Sequence, residues 1–147
     1  MSTKPLRLLA RTAEDVPVLS AMLQDAAVRV GDIAYLPAER RFAAALNRYR
    51  WEARRRAVNP AGERVRAGLH IDYVLAAKTM GIPFDDPDIV LNLLAIAVQP
   101  DEDEAATLTL TFSGGAAVRL DVECIEAVLE DLTKPWRARK TPSHSEA

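Results

Sequence analysis

The alternation of apolar and polar positions predicts that strands form most of this chain. Between residues 107 and 112 the two classes alternate strictly, which is typical of a strand that buries one face and exposes the other. Gly114 and Gly115 follow directly and predict a tight hairpin turn, because glycine readily adopts the positive φ angles that such turns need. Further segments with strand character lie at residues 6–10, 28–36, 41–52, 65–80, 90–99 and 118–120.

The spacing of apolar residues becomes helical in two places. Thr12 has the position of a helix N-cap, and Asp15 follows three residues later, as in a capping box. Apolar residues then recur on one helical face, so we predict a helix over residues 13–26. A second helical spacing over residues 122–132 predicts a C-terminal helix that carries Cys124.

The order of these elements predicts a single α+β domain over residues 1–133, followed by a flexible tail at 134–147. A strand–helix lead-in precedes about seven antiparallel strands, and the C-terminal helix comes last. The segment at 65–80 is either one bent strand or two strands that meet near Asp72. Two architectures fit: an antiparallel strand-rich sheet, or a partly open barrel like that of pleckstrin-homology domains. The barrel is an analogy of fold and implies no function.

Composition favours a protein of the cytoplasm. The 147 residues are 49% hydrophobic and 27% charged, which is typical of a globular domain with a core. The net charge of -2 gives no overall attraction to nucleic acid or to membranes. The single cysteine cannot form an internal disulfide, and the N-terminus lacks the apolar run of a secretion signal. The apolar stretch at 89–98 is too short to span a bilayer.

The motifs of common catalytic and cofactor sites are missing from the sequence. His70 and His144 are the two histidines, and no cysteine pair, Walker lysine or glycine fingerprint is present. The acidic runs at 85–88 and 101–104 lack the layout of a calcium loop. We therefore predict no metal and no cofactor, assign no catalytic residue, and leave open whether the protein is an enzyme.

Two groups of residues carry the remaining candidate chemistry. Arginines and aromatic residues interleave at 48–51, and three more arginines follow at 54–56, which is the composition of an anion or RNA site. On an extended strand the two arginines of the first stretch share a face with Phe42 and Leu46. The second group surrounds His70 on the next strand. The candidates are Arg48, Tyr49, Arg50, Trp51, His70, Asp72 and Tyr73 for ligand binding, and Arg54, Arg55 and Arg56 for anion binding.

Short stretches along the chain carry a family resemblance. They are LQDA at 23–26, VRVGDIAYLP at 28–37, ERRF at 39–42, LNR at 46–48, WE at 51–52, GLH at 68–70, LLAI at 93–96, TLTF at 109–112 and VECIEA at 122–127. In these stretches the chain resembles a family of short bacterial proteins, mainly alphaproteobacterial, that is classed as a domain of unknown function. The resemblance covers nearly the whole chain except the tail. It implies a bacterial cytoplasmic protein and brings no activity or catalytic residue.

Three functions stay open from the sequence. The leading prediction is a non-enzymatic binding or protein-interaction module, whose partner is an unknown protein or a second copy of the chain. The first alternative is a small enzyme or ligand binder with a dispersed site near His70. The second alternative is anion or RNA binding through residues 48–56, which the acidic overall balance disfavours for nucleic acid.

Overall fold

A computed structural model describes residues 5–51 and 63–137 of the chain. Within these ranges it contains eleven strands, one short α-helix and several 3-10 turns. The strands are β1 (Arg7–Ala10), β2 (Ala26–Arg29), β3 (Ile33–Leu36), β4 (Arg41–Tyr49), β5 (Glu63–Ile71), β6 (Val74–Met80), β7 (Val90–Pro100), β8 (Ala106–Phe112), β9 (Ala117–Val122), β10 (Ala127–Asp131) and β11 (Trp136–Arg137). The helix is α1 (Val16–Leu23), and the 3-10 turns are Ala13–Asp15, Val30–Asp32, Pro37–Glu39 and Ser113–Gly115.

The strands form one open antiparallel sheet. The order of neighbours is β1-β10-β5-β4-β2-β7-β8-β9-β6, with β3 paired to β4 and β11 paired to β5. The predicted strand-rich antiparallel sheet is confirmed, but the predicted number of about seven strands is too low. One reason lies at residues 28–36, where Val30 and Gly31 donate backbone hydrogen bonds to Ile89 and Pro87. These bonds hold a 3-10 turn between β2 and β3, so the segment is not one continuous strand.

A bend between β5 and β6 determines which strands lie at the ends of the sheet. β5 pairs with β10, whereas β6 pairs with β9. At the bend, the Asp72 amide donates to the Glu126 carbonyl at 2.9 Å, and the Glu123 amide donates to the Tyr73 carbonyl at 2.9 Å. Tyr73 has a φ of 60°, in the left-handed region that residues other than glycine rarely adopt. Of the two alternatives predicted for residues 65–80, the structure has the two strands that meet near Asp72.

Helix α1 packs against β7 and buries Leu19 and Leu23 in the core. It is shorter than the predicted helix at 13–26, because the chain leaves the helix at Gln24 and Ala26 already pairs with Leu93 as part of β2. The Asp15 carboxylate accepts hydrogen bonds from the backbone amides before the helix, as the capping-box prediction requires. In the described ranges, neither α1 nor any other helical segment is long and apolar enough to cross a membrane.

The predicted C-terminal helix at 122–132 is wrong, because this segment contains the end of β9, a connection and β10. β10 lies between β1 and β5, and its residues Val128 and Leu129 are both buried. A strand covered on both faces carries consecutive apolar residues, which imitate helical spacing in the sequence. Cys124 therefore lies in the connection between two strands.

Part of the predicted tail belongs to the sheet. Trp136 and Arg137 form β11 and pair with Arg64 and Glu63 of β5. The remaining residues of that segment, 138–147, lie outside the described residues.

Candidate functional site

The two groups of candidate residues lie at opposite ends of the ladder between β4 and β5. Tyr49 pairs with Arg64 at one end, and Phe42 pairs with Ile71, next to Asp72, at the other end. A strand rises about 3.3 Å per residue, so the two ends are roughly 23 Å apart. The groups cannot form one site, and each has to be judged by its own contacts.

Arg48 is held inside the fold by a buried carboxylate. Its side chain is fully buried, and its Nε and Nη2 atoms donate to Oδ1 and Oδ2 of Asp131 at 2.9 and 3.0 Å. Asp131 also accepts a hydrogen bond from the Leu6 amide at 2.9 Å. The pair joins β4, β10 and the residue just before β1, so these contacts give Arg48 a structural role.

The neighbours of Arg48 are also engaged by protein groups. Arg50 forms an ion pair with Glu63, and the indole N–H of Trp51 donates to the Gln24 carbonyl at 3.0 Å. The buried ring of Tyr49 meets the ring of Trp51 edge-on, with 4.6 Å between centroids. The predicted anion residues that follow on the chain lie outside the described residues; they are Arg54, Arg55 and Arg56.

His70 and Asp72 form a polar cluster with Arg41 beside the bend. Oδ1 of Asp72 accepts a hydrogen bond from Nε of Arg41 at 2.7 Å, and this bond raises the pKa of Arg41. Oδ2 of Asp72 lies 3.4 Å from Nδ1 of His70, whose side chain is about one-third exposed. The cross-strand neighbours of His70 are Ala43 and Val128, which supply neither a nucleophile nor an acid. The cluster therefore braces the bend, and neither cross-strand neighbour of His70 completes a catalytic pair with it.

The bend leads directly into an open edge of the sheet. The Val74 amide donates to the Arg40 carbonyl at 2.9 Å, which ties the first residue of β6 to the turn before β4. Beyond Val74, β6 pairs with β9 on one side, and no described residue pairs with its other side. Tyr73, the remaining candidate of the second group, lies at the start of this edge and is 43% exposed.

Apolar side chains are exposed along the open edge. Leu75 is 55% exposed and Met80 is 66% exposed, and Phe84, just beyond the strand, is 52% exposed. Lys78 is the one charged residue of β6, and it lies in register with Arg119 of β9. Directly opposed residues of antiparallel strands share a face, so the two cations lie side by side.

Comparison with known protein families identifies the family of this chain. A family model described as Protein of unknown function (DUF2948) matches residues 6–144. The chain belongs to this family. The predicted resemblance to a family of unknown function is thereby confirmed. Neither the curated proteins nor the solved structures include a match to this DUF2948 chain.

Cys124 of this DUF2948 chain lies in a depression of about 420 Å³ beside Arg11 and Glu126. Burial raises the pKa of the Cys124 thiol, and the carboxylates of Glu104, Glu123 and Glu126 raise it further. The thiol is therefore protonated at neutral pH and is a poor nucleophile. No three histidine, cysteine or carboxylate side chains of residues 5–51 and 63–137 are grouped so that they could hold a metal ion.

The sequence pattern does not identify β6 as a site. It places residues 74–80 on a strand, but whether a strand lies at an edge depends on pairings with distant parts of the chain. β6 pairs with β9, about forty residues away in sequence. One local signal was present, because a single lysine in an otherwise uncharged strand is a common feature of sheet edges.

Proposed function

We propose that this DUF2948 protein is a non-enzymatic protein-interaction module that binds an extended segment of a partner protein along β6. The observation that carries the proposal is the open side of β6, where exposed Leu75 and Met80 accompany backbone groups that no residue of 5–51 or 63–137 pairs with. Such an edge can add a further strand, whose backbone hydrogen bonds provide affinity and whose side chains provide specificity.

The length of the edge suits this role. β6 spans Val74–Met80, and at about 3.4 Å per residue it offers roughly 23 Å for pairing, the length of an ordinary strand. Its first residue is already bonded to Arg40, which leaves the stretch from Leu75 onward for a partner. The apolar side chains there give an added strand surface to bury in addition to hydrogen bonds.

Charge favours an acidic partner segment over a second copy of this chain. An added strand that places a carboxylate opposite Lys78 gains a cross-strand ion pair, whereas the neighbouring Arg119 is already paired with Asp121. Two copies of β6 would instead bring two Lys78 side chains close together, and like charges in adjacent positions are destabilising. The partner we propose therefore alternates apolar and acidic residues in an extended conformation.

The proposal also covers the architecture and the location of the protein. We regard the sheet as a variant of the pleckstrin-homology-like, partly open barrel, with its gap beside β6. The bend supports this interpretation. There the chain passes from β5 to β6 and from β9 to β10, so the pair β5–β10 in one part of the sheet continues as the pair β6–β9 in another part. A bacterial cytoplasmic location, which the family resemblance implied, belongs to the same proposal.

A charge reversal at Lys78 tests the proposed function. We expect a labelled synthetic peptide of about eight residues that alternates valine and glutamate to bind the protein in a fluorescence anisotropy titration. Lys78→Glu should weaken this binding about five- to tenfold, because an attraction becomes a repulsion. A peptide with lysine in place of glutamate should show the opposite preference.

Lys134→Glu is the matched control, since it makes the same charge change at an exposed lysine beyond β10. Equal weakening by both variants would mean that the peptide responds to net charge only, and the proposal would be wrong. A light-scattering mass of two chains that returns to one chain in Leu75→Glu would identify a second copy as the occupant, which also contradicts the proposal.

A further inference from the structure

A second surface, independent of β6, surrounds Arg64 at the other end of β5. Arg64 lies in register with Tyr49 of β4 on one side and with Trp136 of β11 on the other. Residues in register share a face of the sheet, so Arg64 lies on the same face as both aromatic residues. Its carbon Cζ is 5.8 Å from the centroid of the Tyr49 ring, and the Trp136 side chain is 41% exposed.

The positive charge of Arg64 has no carboxylate partner among the residues that the structure describes. Its Nη1 atom donates to the Asn47 carbonyl at 3.0 Å, which is a neutral acceptor. By contrast, the nearby Arg66 forms an ion pair with Asp32 at 3.2 Å, and Arg50 pairs with Glu63. A partly buried cation without a counter-ion is unfavourable, and an anionic ligand would remove that cost.

The electrostatics of Arg64 agree with this geometry. Burial lowers the pKa of its guanidinium, and the charges of Tyr49 and Asp25 offset this effect only in part. Arginine nevertheless keeps its proton at neutral pH, so Arg64 stays positively charged. Of the five N–H groups of a guanidinium, the bond to Asn47 uses one.

We propose that Arg64 and Trp136 form a binding site for a nucleotide, with the phosphate on the guanidinium and the base stacked on the exposed indole. Arg66 lies two residues along the same face of β5, but its charge is compensated by Asp32, so Arg64 is the cation assigned to the phosphate. The pairing of arginine with an exposed aromatic ring is the combination that single-stranded nucleic-acid sites use. A free nucleotide and the nucleotides of an RNA strand share this chemistry.

Calorimetric titration of the whole protein with three probes tests the site. AMP should bind about tenfold more tightly than inorganic phosphate, because stacking on Trp136 adds to the contact with Arg64. A hexamer of uridine distinguishes the sources: tighter binding than AMP identifies RNA, and equal binding identifies the free nucleotide. Equal binding of AMP and phosphate, or no binding of either, would overturn the proposal.

Three variants locate the binding. Arg64→Gln should reduce AMP binding at least tenfold, whereas Arg119→Gln, which removes an exposed arginine paired with Asp121, should leave it unchanged. Trp136→Leu should lower the affinity for AMP to that for phosphate without changing phosphate binding. If Arg64→Gln does not fold, the Trp136 variant still decides, because unchanged AMP binding in Trp136→Leu would overturn the proposal.

Discussion

At the scale of single residues, a buried ion pair connects parts of the chain that are far apart in sequence. Arg48 and Asp131 are separated by 83 positions, and the pair also holds the Leu6 amide. Alternation along β4 predicted that Arg48 shares a face with Phe42 and Leu46, and all three residues are buried in the structure. The partner could not be predicted, because no local pattern identifies a carboxylate on a strand that pairs only in the folded sheet.

Removal of the Asp131 carboxylate should strongly destabilise the protein. Asp131→Ala leaves the buried charge of Arg48 without compensation, which costs about 3–5 kcal/mol. Urea unfolding followed by circular dichroism measures the loss. Asp121→Ala, which breaks the exposed pair with Arg119, should cost less than about 1 kcal/mol. Similar losses of unfolding free energy in the two variants would show that the Arg48–Asp131 pair stabilises the fold no more than an exposed pair does.

At the scale of elements, local signals were reliable where they depend on neighbours in sequence. The hairpin between β8 and β9 and the capping residue Asp15 follow from glycine and acidic positions that the sequence shows directly. The helix prediction for residues 122–132 is wrong because it depends on distant neighbours. β10 acquires its strand conformation by pairing with β1 and β5. Its apolar run is compatible with a helix until those neighbours are known.

The Asp15 cap gives a pH-dependent contribution to stability. Hydrogen bonds from the Arg11 and Thr12 amides lower the pKa of Asp15 below its ordinary value of 3.8. The folded state therefore favours the ionised carboxylate. The contribution of this carboxylate to the free energy of unfolding is fully present above pH 3.8, and it is lost as the pH falls through the lower, folded-state pKa.

Thermal unfolding of the wild type and of Asp15→Asn should accordingly show the wild type more stable at pH 7. The difference should shrink below pH 3.8, because the unfolded chain then binds a proton at Asp15 that the folded state binds only at lower pH. A difference that stays constant down to pH 2.5, below the ordinary pKa, would exclude the ionised cap as its source.

At the scale of the whole molecule, the sequence predicted the strand-rich content and the antiparallel character of the sheet but not the order of its strands. That order places β6 at one end of the sheet and β1 at the other. Both proposed sites depend on it, because β6 is open only through its position, and Arg64 meets Trp136 only through the pairing of β11 with β5. Neither juxtaposition has a signature in any short stretch of sequence.

The central claim, that β6 is an open edge that binds an extended partner, can be tested by hydrogen exchange. Outward-facing amides of an unpaired edge exchange quickly, and pairing with an added strand slows them. We expect the valine–glutamate peptide to slow exchange at alternate amides between Leu75 and Met80 and to leave the amides of β1 unchanged. Unchanged exchange in β6 at saturating peptide, or protection at β1 instead, would contradict the claim.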